Sequence, residues 1–235
     1  MKIVALSDLH GYLPAVPECD VVTISGDIVP CHIQRKKDAC IAWFSGVFQT
    51  WALNLDCKYV AFVAGNHDFV LQDLDKEYNC FEVCRLLFQA DAHYKIRYLL
   101  DTCINLDGVN IYGTPWIPSL KNWAFYGDSD FLKETFDLIP EDADIILTHC
   151  PPRLGEQGVV LQNNHWNRGA NFGCEELRNA LKNKFYNRKE PIYVLSGHIH
   201  SGKHEIEELD CLRMRNVSIM DEDYEPTYLP YIFEI

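Results

Sequence analysis

Five short apolar runs constrain this chain more than any other feature, because each stops at a polar residue able to bind a metal. Lys2-Ile-Val-Ala-Leu6 leads into Ser7-Asp8-Leu9-His10-Gly11, and Asp20-Val-Val-Thr-Ile-Ser25 leads into Gly26-Asp27. Lys58-Tyr-Val-Ala-Phe-Val-Ala64 ends in Gly65-Asn66-His67-Asp68. Asp144-Ile-Ile-Leu-Thr148 ends in His149, and Pro191-Ile-Tyr-Val-Leu-Ser196 in Gly197-His198-Ile199-His200. Runs of this length, rich in branched side chains and closed by turn residues, read as buried strands. Residues i and i+2 on an extended chain point the same way, so Asp8 and His10 can reach one ion. A single Asp-x-His reads equally well as a turn Asp beside a solvated His. Matching ligand types at five strand ends do not.

The segments between the runs carry other patterns. Residues 34–54 have helical spacing, with Ala39, Trp43, Val47 and Trp51 as an apolar stripe for the core. Residues 72–90 read as a second helix, with Leu74, Tyr78, Phe81, Cys84 and Phe88 on one side. Strand–helix alternation over residues 2–90 predicts a largely parallel sheet whose strand C-termini share one ligand-binding rim. Residues 96–113 read as short strands turning at Asp107-Gly108. An irregular stretch follows, in which Trp116 and Trp123 either anchor the loop or line a pocket for an aromatic or base-like group. A helix over 129–138 takes Ser129 as its N-cap. Cys150-Pro-Pro-Arg153 stops regular structure after His149. Beyond it lie a polar loop over 155–171, with Asn163, Asn164, His165, Trp166 and Arg168, and a helix over 174–186. Residues 204–209 and 212–219 read as antiparallel partners, and 231–235 as a last strand. Ligand types run from residue 8 to residue 200, so the expectation is a single domain over 1–235.

Charge and cysteine usage narrow the function classes. The formal net charge of −13 argues against dedicated binding of long nucleic acids. No apolar stretch approaches the roughly 18 residues that a membrane span needs. The N-terminal residues lack the basic–apolar–small pattern of a signal peptide. Ten cysteines are scattered with no Cys-x-x-Cys pair. They read as reduced thiols, and the expected location is the cytoplasm.

The donor types select the ions. Carboxylate, imidazole and amide oxygen without thiolate suit Mn, Fe, Zn or Ni rather than a structural zinc cage. Two Asp, one Asn and four His are too many donors for one ion and suit two, with one carboxylate bridging. Two metals roughly 3.5–4 Å apart can generate hydroxide and clamp both attacking and leaving oxygens of a phosphoryl group.

Asp8-x-His10, Gly26-Asp27, Gly65-Asn66-His67-Asp68, His149 and Gly197-His198-x-His200 together resemble the five-block signature of the calcineurin-like metallophosphoesterases. Tyr112-Gly-Thr-Pro-Trp116, Thr148-His-Cys-Pro-Pro152 and Gly197-His-Ile-His200 further resemble its small single-domain MPPED-type branch. The resemblance implies an α/β four-layer fold, two mixed β-sheets packed as a sandwich and flanked by helices. It implies two divalent metal ions, Mn²⁺ first, with Fe, Zn or Ni as alternatives. Carried over by position, Asp8, His10, Asp27 and His200 hold one ion, and Asp27, Asn66, His149 and His198 the other, with Asp27 bridging. A metal-bridging hydroxide then attacks phosphorus, and His67 contacts the phosphoryl group and protonates the leaving oxygen. Asp68 either orients His67 or serves as a cap or turn residue.

The second block departs from that of the protein phosphatases. Gly26-Asp-Ile-Val-Pro-Cys31 lacks their second Asp and their phosphate-gripping Arg. Arg153 either replaces that contact or is an ordinary surface residue. Asn66, His67, Arg153 and Trp116 are the candidate substrate contacts. The expected activity is hydrolysis of small phosphodiesters or nucleotides. A phosphomonoesterase, a nuclease or a non-catalytic scaffold on the same fold are the alternatives.

Overall fold

The apolar runs form strands buried on both faces, which is why they read as continuous rather than alternating. β1 (Lys2–Leu6), β2 (Val21–Ser25), β3 (Tyr59–Val63) and β4 (Ile96–Tyr98) pair in parallel. β11 (Tyr231–Glu234) joins β1 antiparallel, giving the order β11-β1-β2-β3-β4. The second sheet contains β5 (Thr102–Leu106), β6 (Val109–Thr114), β7 (Ile145–Thr148), β8 (Ile192–Ser196), β9 (Glu207–Leu209) and β10 (Leu212–Asn216). Its order is β5-β6-β7-β8-β10-β9, mixed like the first. The β5–β6 hairpin turns at Asp107 and Gly108, whose φ values of 47° and 96° are those of a type I′ turn. This computed structural model describes residues 1–118, 120–163 and 165–235; Ser119 and the loop residue Asn164 lie outside the described residues.

The period of two along each strand divides the core into layers. Ile3, Ala5, Val63, Ile145, Leu147 and Leu195 fill the space between the sheets. Val4, Leu6, Val60 and Phe62 face outward beneath the helices of the first half. Those helices are α1 (Lys37–Trp43), a π segment (Phe44–Phe48), α2 (Gln49–Asn54), α3 (Phe69–Leu74) and α4 (Cys80–Leu87). α5 (Ser129–Phe136) and α6 (Glu175–Phe185) cover the second sheet through Leu132, Phe136, Leu177 and Leu181. The result is helix, sheet, sheet, helix, in four layers. All ten cysteines are free.

Three helical expectations need correction. The core-facing row over 34–54 is Cys40, Phe44, Phe48 and Ala52, one residue from the expected stripe; Val47 is exposed. Both rows repeat every four residues, so spacing alone does not separate them. A four-residue repeat drifts on an α-helix of about 3.6 residues per turn, and the wider π turn at Phe44–Phe48 takes up that drift. The single helix over 72–90 is two short ones. Asn79 caps α4 by accepting from Glu82 N while the Glu82 carboxylate accepts from Asn79 N, so a new helix starts there. Tyr78 and Phe81 are exposed. The cap of α5 is Asp128, whose carboxylate accepts from Phe131 N, and Ser129 is the first helical residue.

Candidate metal centre

Parallel strands of both sheets deliver their C-terminal ends to one rim. Ser25 Oγ donates to Leu195 O at 3.0 Å and Gly197 N donates to His149 O at 3.0 Å, tying β2, β7 and β8 together there. The chain leaves these strands through strained turns. Asp8, His10, Asp27 and His198 have φ values of 55°, 43°, 52° and 68°, in the left-handed region that L side chains seldom occupy. Strain of this kind persists only where surrounding structure imposes it, and it concentrates at functional sites. Here it turns four ligand-type side chains inward. Glycine fills the tightest places: a Cβ on Gly197 would collide with the Asp8 carboxylate and Ser7, and one on Gly65 with Asp27.

The rim brings together all seven ligand candidates. One ligand atom each from Asp8, His10 and His200 lies within 4.8 Å of the others, and the same holds for Asp8, Asp27 and His149. Asp27 Oδ2 stands between the groups, 3.8 Å from His10 Nε2 and 3.3 Å from His149 Nε2. Its other oxygen accepts from His67 N at 2.8 Å, so Oδ2 alone faces the cluster. Asp8 accepts from His198 N with both oxygens at 3.1 Å. The His198 ring packs edge-on to His149, with centroids 5.0 Å apart. The buried Asn216 amide donates to Ile199 O at 2.6 Å and fixes the His198–His200 turn.

Buried lone pairs test whether this set fits a metal. His149 Nδ1 donates to Ser25 O at 2.9 Å, so its Nε2 presents a lone pair to Asn66 Oδ1, also 2.9 Å away. His200 Nδ1 donates to Asp221 O at 2.7 Å, and its Nε2 then faces His10 Nε2 at 3.3 Å and Asp8 Oδ1 at 3.4 Å. Acceptors that face each other in a buried space need a proton or a metal cation between them. Carbonyls fixing imidazole tautomers from behind are the usual support of metal-binding histidines. The donor set therefore fits divalent ions.

The electrostatics show how strongly these carboxylates attract positive charge. Burial alone would raise the carboxyls of Asp8 and Asp27, but His200 beside one and His149 beside the other hold both well below the usual range. Burial alone would lower His149 and His200, yet Asp27 and Asp8 push them up to about 9. Burial lowers His10 to about 4 and His198 to about 3.

The remaining sequence candidates fall in different places. His67 Nε2 is 3.8 Å from Asp27 Oδ2, and its buried Nδ1 has no partner among the described residues. Trp123 packs against the His67 ring at 4.5 Å, so of the two tryptophans Trp123 lines the site. Trp116 instead donates to Asp101 Oδ2 at 2.7 Å and packs on Phe125 and Phe131, contacts that anchor the loop. Asp68 does not reach His67 among the described residues. Its carboxylate accepts from Ile28, Val29 and Gly65 N at 2.8–3.2 Å and locks the β2 turn to the β3 turn. Arg153 lies 3.8 Å from Glu175 at the far wall of a cleft of about 830 Å³ that opens beside His198. Sequence reading missed Tyr224, whose ring lies 4.8 Å from that of His10 and 5.1 Å from that of His200. Nothing in its sequence neighbourhood distinguishes it.

The calcineurin-like phosphoesterase family model matches residues 1–202. The chain belongs to this family. Among relatives of this calcineurin-like phosphoesterase, UPF0046 protein T07D4.2 of Caenorhabditis elegans is 29% identical over 86% of this chain and 52% of its own. Human metallophosphoesterase domain-containing protein 1 is 28% identical over 100% of this chain and 71% of its own. The chain thus spans about half the length of the first relative. The crystal structure of a phosphopantetheinyl hydrolase from Mycobacterium tuberculosis, 11% identical, superimposes with a TM-score of 0.52 over 95% of this chain and 90% of that one. That likeness is one of fold. No helix among the described residues is long and apolar enough to cross a membrane.

Proposed function

We propose that this phosphoesterase is a dinuclear-metal enzyme that hydrolyses small phosphodiesters or nucleotides. The observation that carries this reading is Asp27 Oδ2, held between two groups of ligand atoms with its other oxygen occupied. Asp8, His10, Asp27 and His200 would hold one ion, and Asp27, Asn66, His149 and His198 the other, with Mn²⁺ the favoured metal and Fe, Zn or Ni the alternatives. When bound, the ions would make water nucleophilic at neutral pH and draw charge from the phosphoryl oxygens.

The chain's own groups do the rest. His67, whose ring also lies within 4.8 Å of ligand atoms of His10 and Cys31, stands beside the cluster outside both ligand sets. Burial, only partly offset by Asp27, holds its pKa below the ordinary histidine value, so the protonated ring is a stronger acid but a scarcer one. It is the general acid for the leaving oxygen. The cleft beside His198, with Lys121, Arg153 and Trp166 among its walls, offers room for a second ester arm, which supports the diester reading.

The test compares hydrolysis of bis(p-nitrophenyl) phosphate with that of p-nitrophenyl phosphate after loading with Mn²⁺, and again after chelation. Chelator-sensitive turnover favouring the diester is expected. Preference for the monoester would make the enzyme a phosphatase, and no turnover with two metals bound would support a scaffold.

A further inference from the structure

Tyr224 sits on a seven-residue turn built around Asp221. The Asp221 carboxylate accepts from Asp223 N at 3.0 Å, Glu225 N at 3.1 Å and Thr227 Oγ1 at 2.9 Å. The turn is bolted to the rim twice. Asp221 O accepts from the ligand candidate His200, and Glu222 accepts from Ser201 N at 3.0 Å and Ser201 Oγ at 2.8 Å. At its tip Tyr224 adopts φ 62°, a strained value for an aromatic residue. That strain places its ring 4.8, 5.1 and 6.2 Å from the rings of His10, His200 and His67. The phenol forms no hydrogen bond with the described residues. A groove of about 220 Å³ over the cluster has Tyr224 on one wall and Trp123 on another, with Asp27, Asn66, His67 and His200 at its base. A surface tyrosine with only a packing role would need neither the strained backbone nor the two anchors beside a metal ligand.

We infer that Tyr224 is a further substrate-contacting residue, whose phenolic O–H donates to a non-bridging oxygen of the phosphoryl group held in this groove. The inference rests on the phosphoesterase reading above. The ring borders a space lined by imidazoles and carboxylates that metal ions would neutralise, so a phosphoryl oxygen is the acceptor chemistry that completes its O–H. No proton need leave the phenol. Burial, with the charge of Asp27 behind it, moves the Tyr224 hydroxyl above its ordinary pKa, which keeps it a donor through neutral pH.

Tyr224→Phe removes the oxygen and keeps the ring, and Tyr224→Ala removes both. Each Mn²⁺-loaded protein is assayed for bound metal, for calorimetric affinity for inorganic phosphate, and for kcat and KM on bis(p-nitrophenyl) phosphate. A hydrogen bond to a charged acceptor predicts roughly tenfold weaker phosphate binding and a roughly tenfold lower kcat/KM in Tyr224→Phe, with two metals retained. Tyr224→Ala should lose at least as much. Phosphate affinity and kinetics equal to wild type in Tyr224→Phe would overturn the contact. Metal lost from Tyr224→Phe in step with activity would also overturn it, making the residue a support of the metal site. If wild-type protein binds phosphate but turns over neither ester, the hydrolase reading fails while the affinity comparison still decides Tyr224. Failure of wild type to bind phosphate overturns both.

Discussion

His67 and Asp27 are joined by one hydrogen bond, from His67 N to Asp27 Oδ1, yet their side chains have separable tasks. His67→Ala should keep both ions and lower kcat by about 10²–10⁴, the usual range for a positioned proton donor. Metal analysis beside steady-state kinetics checks this, and metal lost with activity would make His67 a ligand. Asp27→Ala should lose at least one ion per chain by elemental analysis; retention of two with full activity would remove the bridge. The ligand types were legible in the sequence because strand ends and glycines mark them. Tyr224 was not, because it reaches the site through a turn whose only local signs are acidic residues. For Asp68 the sequence leaves two roles open, and its hydrogen bonds fit the turn role. Its place after His67 puts the two side by side in sequence, but its carboxylate binds the amides of Ile28 and Val29 across the sheet.

At the scale of elements, patterning gave the strands more faithfully than the helices. A strand buried on both faces needs only an apolar run, and the runs ending before Asp8, Asp27, Asn66, His149 and His198 all became strands. A helix needs its phase as well. The row Cys40, Phe44, Phe48 and Ala52 competes with a neighbouring row of equal spacing, and only the sheet beneath chooses between them. Where α3 ends, Asp75 accepts from Tyr98 OH at 2.7 Å, while its other oxygen is buried without a partner among the described residues. Burial pushes the Asp75 carboxyl up to about 7 from 3.8. The fold therefore favours the protonated acid. Its contribution to stability is complete below pH 4 and is lost as pH rises through about 7. Asp75→Asn should remove that loss, gaining on the order of 2 kcal/mol over wild type at pH 8 and little at pH 4. Urea unfolding at the two pH values measures it. A gain equal at both would place the effect outside the titration.

Across the whole molecule, the sandwich positions the site. A parallel sheet alone was legible in residues 2–90, where strands and helices alternate. That a second sheet would face the first came from the family resemblance, since no local pattern states how β7 and β8 stack on β2 and β3. Ions held by ligands from both sheets bind the folded state only. Chelation should therefore lower the melting temperature, and added Mn²⁺ should restore it with the logarithm of free concentration, each ion adding about 2.7 kcal/mol of stability at a hundred times its Kd. A melting temperature indifferent to chelator would mean that the rim holds no ion tightly.

The division of ligands between sheets has a mechanical side. Asp8, His10, Asp27 and Asn66 hang from one sheet, and His149, His198 and His200 from the other. Ions between them would act as rivets at a single edge of the sandwich. The layers could then slide or part at the opposite edge while the reactive edge kept its spacing, so thermal motion would be directed away from the chemistry. Losing the rivets would leave that edge to the hydrogen bonds that cross it, Ser25 Oγ to Leu195 O and His198 N to Asp8 among them.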